Sequence, residues 1–136
     1  MIKLKDILSE GMPKNTIQDI VDRVYPQIVN DLGKGKRPPV VELHKDIYAR
    51  LSGIPGSMGE ESHTSKAEYD DIENKIFVYY PNMINEEDVI RALLHEYTHS
   101  LQDPKKSKKH RESGYENDPY EIAAKKAEWG WEKYKE

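Results

Sequence analysis

Apolar residues recur at helical spacing in two long stretches of the chain. In the first, residues 15–33, they stand three or four positions apart, the spacing that puts side chains on one side of an α-helix. Gly33 closes this stretch, and Pro26 marks a place inside it where a helix can kink or split. The apolar positions are Ile17, Ile20, Val21, Val24, Ile28 and Leu32. The pattern predicts a long amphipathic helix.

The second stretch, residues 85–103, carries the strongest helical pattern in the chain. Asn85 is a good N-cap, and the acidic residues 86–88 suit the positive end of a helix dipole. Pro104 ends the pattern. The apolar side consists of Val89, Ile90, Leu93, Leu94, Tyr97 and Leu101. These signals together predict a capped amphipathic helix.

Strand patterns occupy the middle of the chain. Residues 40–43, VVEL, are typical of a short strand. Residues 66–81 hold two strand-like arms, KAEYDD and KIFVYYP, around the turn IEN, which predicts a β-hairpin. Between these regions, residues 52–65 are rich in Gly and Ser without periodicity and predict a long loop.

The two ends of the chain complete the predicted fold. Asp118 followed by Pro119 opens a final helix, since Asp is a common N-cap and Pro is favoured at the first helical position. Residues 1–12 predict a short helix or an N-terminal arm that packs on the domain. We therefore expect an α+β fold with a small, mostly antiparallel sheet, a backing helix at residues 15–33, the helix at residues 85–103 and a C-terminal helix.

Composition narrows the class of protein. The 136 residues suit a single domain, residues 1–136, and 36% apolar against 34% charged residues predicts a small core. The 21 basic and 25 acidic residues give a net charge of −4, and this overall charge does not favour binding to nucleic acid. Without cysteine, any metal must be held by His and carboxylates. No secretory signal or membrane span is visible, so we expect a soluble, cytoplasmic protein whose oligomeric state is open.

Candidate chemistry lies in the second helix, in the segment LLHEYTHSLQDP. His95 and His99 are four residues apart, so a helix places both imidazoles on one face and lets them bind one metal ion. Glu96 is rotated about 100° from His95 and can act on a metal-activated water as a general base. The segment therefore predicts a zinc site in which Glu96 is catalytic.

A catalytic zinc site needs a third protein ligand and an open position for water. A third His six residues after His99, as in metzincins, is excluded because position 105 is lysine. Glu121 is our choice, since it stands in the first turn of the last helix, whose small residues allow close packing on the metal helix. DPYE also fits a capping box, in which Glu121 bonds the main chain at Asp118. The other candidates are Glu116, His110, Glu112, Asp118, His44 and His63.

Over residues 69–131 the chain resembles the gluzincin-like metallopeptidases, in particular the small minigluzincins, through HEYTH and the later DPYEIAA. The resemblance implies a zincin-like fold with zinc on His95, His99 and Glu121 and with Glu96 as the base. It also implies that the strand KIFVYY lies along the cleft as the edge on which an extended peptide docks.

One position departs from the resembled pattern. Many gluzincins carry an Asp four residues after the ligand Glu, where it supports a zinc histidine, and here that position is Lys125. We expect Glu128 or a main-chain carbonyl to orient the imidazoles instead. The reaction also needs a donor to its oxyanion. The candidates are Tyr115, Tyr120, His110 and His63.

These features predict a zinc metallopeptidase that hydrolyses peptide bonds in a peptide or protein substrate through a metal-activated water and Glu96. A rival hypothesis is a zincin-like binding or assembly protein, with structural zinc or with a cleft filled by residues 1–10 or 52–65. Glu96 disfavours this rival, since a structural site has no use for a base. A second alternative is a metal-dependent hydrolase of a non-peptide amide. The cleavage specificity stays open.

Overall fold

The computed structural model describes residues 12–35, 37–46, 50, 65–103, 105 and 118–136. Its elements confirm the α+β class. In chain order they are α1 (Lys14–Leu32), β1 (Val40–His44), β2 (Ala67–Asp70), β3 (Lys75–Tyr79), α2 (Glu86–Ser100) and α3 (Pro119–Ala127), with 3-10 helical segments at Tyr80–Asn82 and Glu128–Tyr134. The predicted arm of residues 1–12 and the loop of residues 52–65 lie almost wholly outside the described residues. None of the described helices is long and apolar enough to cross a membrane.

α1 forms where the first apolar stretch predicts a helix, and it passes through Pro26 without splitting. Pro26 removes one main-chain hydrogen bond, but Val24 and Ile28 on either side are fully buried, and their burial offsets that loss. Gly33 follows the helix with a φ of 95°, a left-handed value that favours glycine. The Gly33 carbonyl accepts a hydrogen bond from the Tyr97 hydroxyl, which ties the end of α1 to α2.

The predicted hairpin is present, with β2 and β3 antiparallel. Asp70 fixes the turn, because its Oδ1 accepts from the main-chain amides of Ile72 and Glu73 at 2.9 and 3.1 Å. Asn74 adopts a φ of 56°, in the left-handed region that Asn tolerates better than most residues. Local turn chemistry thus supports the pairing of the two strands.

The sheet is mixed rather than mostly antiparallel, which corrects one prediction. The strand order is β1-β3-β2, and β1 runs parallel to β3. A parallel pair needs a long connection between its strands, and here β2 and the residues before it lie between them in the chain. The residue pattern of β1 does not encode its direction, because the same side chains can face the core whichever way the strand runs.

β3 is the central strand, so the expectation that KIFVYY forms a docking edge is wrong. Ile76, Phe77, Val78 and Tyr79 are all buried, which means that both faces of β3 are covered. A continuous apolar run suits that central place, because neither face of the strand is left to water. The edge strand that packs beside α2 is β2.

The core lies between the sheet and the helix pair α1 and α2. The predicted apolar positions of α2 are all buried within it except Leu101, which is largely exposed just past the end of the helix. Tyr134 joins the C-terminal segment to α1 through two hydrogen bonds. Its hydroxyl donates to Asp31 Oδ2 at 2.9 Å, and its carbonyl accepts from Arg23 Nη1 at 2.8 Å. These contacts hold α3 and the segment after it beside α2.

Candidate metal centre

α2 presents two different faces. Its N-terminus is capped by Asn85, whose Oδ1 accepts from the Asp88 amide at 2.9 Å. One face is apolar and buried. Another carries Arg91, His95 and His99 at successive four-residue steps, and these side chains are partly exposed. The helix is therefore anchored through one face and displays the two histidines on another.

Both histidines meet a carboxylate from α3. His95 Nε2 lies 2.9 Å from Glu121 Oε1, and His99 Nε2 lies 3.1 Å from Glu121 Oε2. The two Nε2 atoms are 3.2 Å apart. The side chain of Glu121 is only 8% exposed. Three groups that can ligate a metal therefore converge on one point between two helices.

The separation of the two imidazole nitrogens fits a tetrahedral zinc ion. With zinc bonds of about 2.0 to 2.1 Å, neighbouring ligand atoms of a tetrahedron stand about 3.3 to 3.4 Å apart. The Nε2 atoms are 3.2 Å apart, and the two oxygens of Glu121 lie 2.9 Å from one of them and 3.1 Å from the other, so small movements of the side chains would admit the ion. His95, His99 and Glu121 also make up three protein ligands, the number that catalytic zinc sites use.

Glu128 fixes which ring nitrogen of His95 carries the proton. Its Oε2 lies 2.7 Å from His95 Nδ1. An ionised carboxylate can only accept a hydrogen bond, so Nδ1 is the donor. In the neutral imidazole this leaves the lone pair on Nε2, which faces Glu121 and His99. Glu128 thus takes the orienting role that the exposed Lys125 cannot fill.

Gln102 fixes the ring of His99 in a similar way. The orientation of the Gln102 amide is itself fixed by a main-chain carbonyl. The Gln102 Nε2 donates to the carbonyl oxygen of Tyr120 at 3.0 Å, and that oxygen can only accept. The amide orientation is therefore set, and Gln102 Oε1 faces His99 Nδ1 at 2.8 Å. Nδ1 must be the donor, so the lone pair of the neutral ring is again on Nε2.

In the neutral form of both rings, the two Nε2 lone pairs and the Glu121 carboxylate face one point. A positive charge at this point, from a proton on an imidazole or from a bound metal ion, offsets the repulsion among these groups. The groups behind both Nδ1 atoms hold the rings in the orientation that a divalent cation would use.

The structure brings Glu121 to the histidines, and Asp118 caps α3. Asp118 Oδ1 accepts from the Tyr120 amide at 2.9 Å at the start of α3. His44 lies elsewhere, on β1, with its Nε2 3.1 Å from Glu42 Oε1. The remaining candidates fall outside the described residues: His63, His110, Glu112, Tyr115 and Glu116.

Glu96 sits beside the cluster and is almost fully buried. Atoms of His95, Glu96 and His99 that can ligate a metal all lie within 4.8 Å of one another. Burial raises the pKa of the Glu96 carboxyl well above its ordinary value, and the nearby carboxylates of Glu121 and Glu68 raise this pKa further. A carboxyl with a raised pKa next to a metal centre suits proton transfer near neutral pH.

An open groove of about 420 Å³ runs to this cluster. Its lining comes from the edge strand β2 through Lys66 and Ala67, from α2 through Arg91 and His95, and from the C-terminal segment through Glu128. The main chain of β2 also touches the site, since the Tyr69 amide donates to the Glu96 carboxylate. A chain segment lying in this groove would therefore reach His95 and Glu96.

Two residues of the site were not predicted from sequence. Gln102 stands three residues after His99, a spacing that lets helical side chains meet, and this spacing was the signal available. Arg91 stands four residues before His95, so helical periodicity alone places it on the histidine face. Neither Gln nor Arg is a usual metal ligand, so the ligand pattern of the sequence does not indicate these two residues.

Comparison of the chain with models of known protein families finds no match, and comparisons with curated proteins and with solved structures find none either. The geometry of the site is therefore the basis for a functional assignment.

Proposed function

We propose that this protein is a zinc-dependent peptidase of zincin-like type, with His95, His99 and Glu121 as the zinc ligands and Glu96 as the general base. The observation that carries the proposal is the convergence of two imidazole Nε2 atoms and the Glu121 carboxylate, with separations of 2.9 to 3.2 Å. The orientation of both rings by groups on their Nδ1 side supports it further.

Zinc, when bound, supplies Lewis acidity, which makes water more acidic and polarises a carbonyl. Glu96 supplies the proton transfers. Its carboxylate takes a proton from the water that adds its oxygen to the carbonyl carbon, and it then gives this proton to the amine nitrogen as the C–N bond breaks. Burial and the hydrogen bond from the Tyr69 amide hold the Glu96 carboxyl in place for both transfers.

The shape of the groove favours a peptide over a small molecule. It is open and bordered by an edge strand, so an extended chain can lie along it and pair with main-chain groups of β2. The proposal therefore takes peptide bonds as the substrate and keeps non-peptide amides as an alternative that a cleavage screen separates.

The test compares wild type with Glu96→Gln, and measures zinc content beside cleavage of a diverse peptide library. We expect both proteins to hold zinc and only wild type to cleave, because Gln has nearly the shape of Glu but cannot take the proton. Glu132→Gln is the matched control, since Glu132 is exposed and is not among the residues that line the groove. If both proteins bind zinc and neither cleaves a peptide, a binding or assembly protein with structural zinc replaces this proposal.

A further inference from the structure

Arg91 lines the groove one helical turn before His95. One turn of α-helix is about 5.4 Å long, which is the length of one to two residues of an extended peptide. A peptide whose scissile bond lies at the histidines therefore passes the guanidinium within a residue or two of that bond. Arg91 is in the right place to contact a substrate side chain.

The guanidinium of Arg91 is weakly engaged by the protein itself. Its Nε lies 3.0 Å from Glu87 Oε2, yet this buried nitrogen makes no properly aligned hydrogen bond with any described residue. Glu87 is the sole ion-pair partner of Arg91 within the described ranges, and both side chains are 39% exposed. An exposed pair of this kind contributes little, so a ligand can replace Glu87 at small cost.

The other cation of the groove has a partner that the fold holds in place. Lys66 Nζ lies 2.9 Å from Asp88 Oδ1, and the second oxygen of Asp88 accepts from the Ile84 amide at 2.9 Å. Asp88 is therefore held at the start of α2, beside the exposed Lys66 ammonium. Arg91 differs, because its terminal nitrogens have no polar partner among the described residues.

We propose that Arg91 is a specificity-determining residue that selects peptides with a carboxylate close to the scissile bond. The planar guanidinium can bind a carboxylate through two parallel hydrogen bonds, which a neutral amide cannot match. Among the acidic residues that line the groove, Glu128 lies against His95 and Asp88 lies against Lys66, and neither pairs with Arg91. The inference rests on the proposed function, since it names the substrate class of the same groove.

Binding and cleavage test this inference separately. Zinc-loaded Glu96→Gln protein is titrated with alanine-based peptides that carry a single Glu walked along the chain, each beside the same peptide with Gln. The peptides are made with free and with amidated C-termini, so a side-chain carboxylate and a terminal carboxylate are distinguished. Wild type is assayed for cleavage of the same set.

We expect one Glu position, or the free C-terminus, to bind roughly 10- to 100-fold more tightly than its neutral counterpart. In the Arg91→Gln background this difference should vanish, Arg91→Lys should keep part of it, and Arg91→Glu should favour Lys-bearing peptides. Equal affinity for charged and neutral peptides, or binding by neither, overturns the inference. A carboxylate preference without cleavage by wild type keeps the inference and overturns the peptidase proposal instead.

Discussion

Along α2, Val89, Leu93 and Tyr97 are fully buried against the core, whereas His95 and His99 on the same helix face a groove and a carboxylate. The apolar face needs only neighbours of suitable volume. The histidine face needs particular atoms at particular distances, and these come from α3 and the segment after it.

The difference between the two faces implies that stability and metal binding can be separated. The apolar face stabilises the fold through area removed from water. The histidine face brings two imidazoles and a carboxylate together, and a bound cation would stabilise this arrangement further. Substitutions on one face should therefore change unfolding of the zinc-free protein, and substitutions on the other should change zinc affinity.

The largest expected effect is on zinc binding by His99→Ala. Removing a ligand should weaken the affinity by more than the roughly 10- to 100-fold that is typical when only a supporting residue is lost. The measurement is competitive titration with a chelator dye. Thr98→Ala, its neighbour on α2, is the control and should keep the wild-type affinity. Unchanged affinity in folded His99→Ala would remove His99 from the site.

On the apolar face, Leu93→Ala should destabilise the zinc-free protein by about 2 to 5 kcal/mol, because the side chain is fully buried and leaves a cavity. Urea unfolding of the zinc-free protein measures this loss. Leu101→Ala is the matched control, since Leu101 is 40% exposed and should lose far less. Equal losses at both positions would contradict the division between the faces.

Glu128→Ala should weaken zinc binding by about 10- to 100-fold while the unfolding free energy of the zinc-free protein changes little. The carboxylate is expected to act through His95 Nδ1, so Glu128→Gln, which can still accept a hydrogen bond, should fall between wild type and Ala. Lys125→Ala at an exposed position of α3 serves as the control. A loss of stability equal to the loss of affinity would make Glu128 merely structural.

The smallest expected effect is on the stability of the fold in acid. It concerns Glu42 on β1, away from both faces of α2. Hydrogen bonds from Lys75 and then from His44 lower the pKa of this carboxyl. Because the folded pKa lies below the unfolded one, the interaction stabilises the fold above the ordinary value of 4.5 and is lost as the pH falls through the folded value.

Glu42→Gln should therefore reduce the acid dependence of unfolding by at most about 1 kcal/mol, since the carboxyl is partly exposed. Urea unfolding of wild type and variant across the acidic range measures it, and zinc affinity at neutral pH should stay unchanged. If the stability of the variant falls with acid as steeply as that of wild type, the Glu42 carboxyl does not contribute to the acid dependence.

Local signals were sufficient for much of the fold. The spacing of apolar residues predicted α1 and α2, and Asn85 and Asp118 marked helix starts because caps act within one turn. The turn around Asn74 predicted the β2–β3 hairpin for the same reason, since its chemistry is contained in a few neighbouring residues.

These local signals do not predict which strands and helices meet when they are far apart in the chain. The parallel pairing of β1 with β3 depends on where the chain returns after many residues, so the prediction of a mostly antiparallel sheet was wrong. The contact of Gln102 with the Tyr120 carbonyl joins two helices and has no local signature. Glu121 was named as a ligand and Glu128 as an orienting group, but their distances to the histidines depend on how α3 docks.

Calorimetric titration of chelator-treated protein with zinc tests the central claim most directly. We predict one zinc ion per chain for wild type and a loss of this binding in Glu121→Ala, with the fold of both proteins intact by circular dichroism. Tight binding that survives in Glu121→Ala would assign the third ligand elsewhere. A folded wild-type protein that binds no zinc would contradict the account.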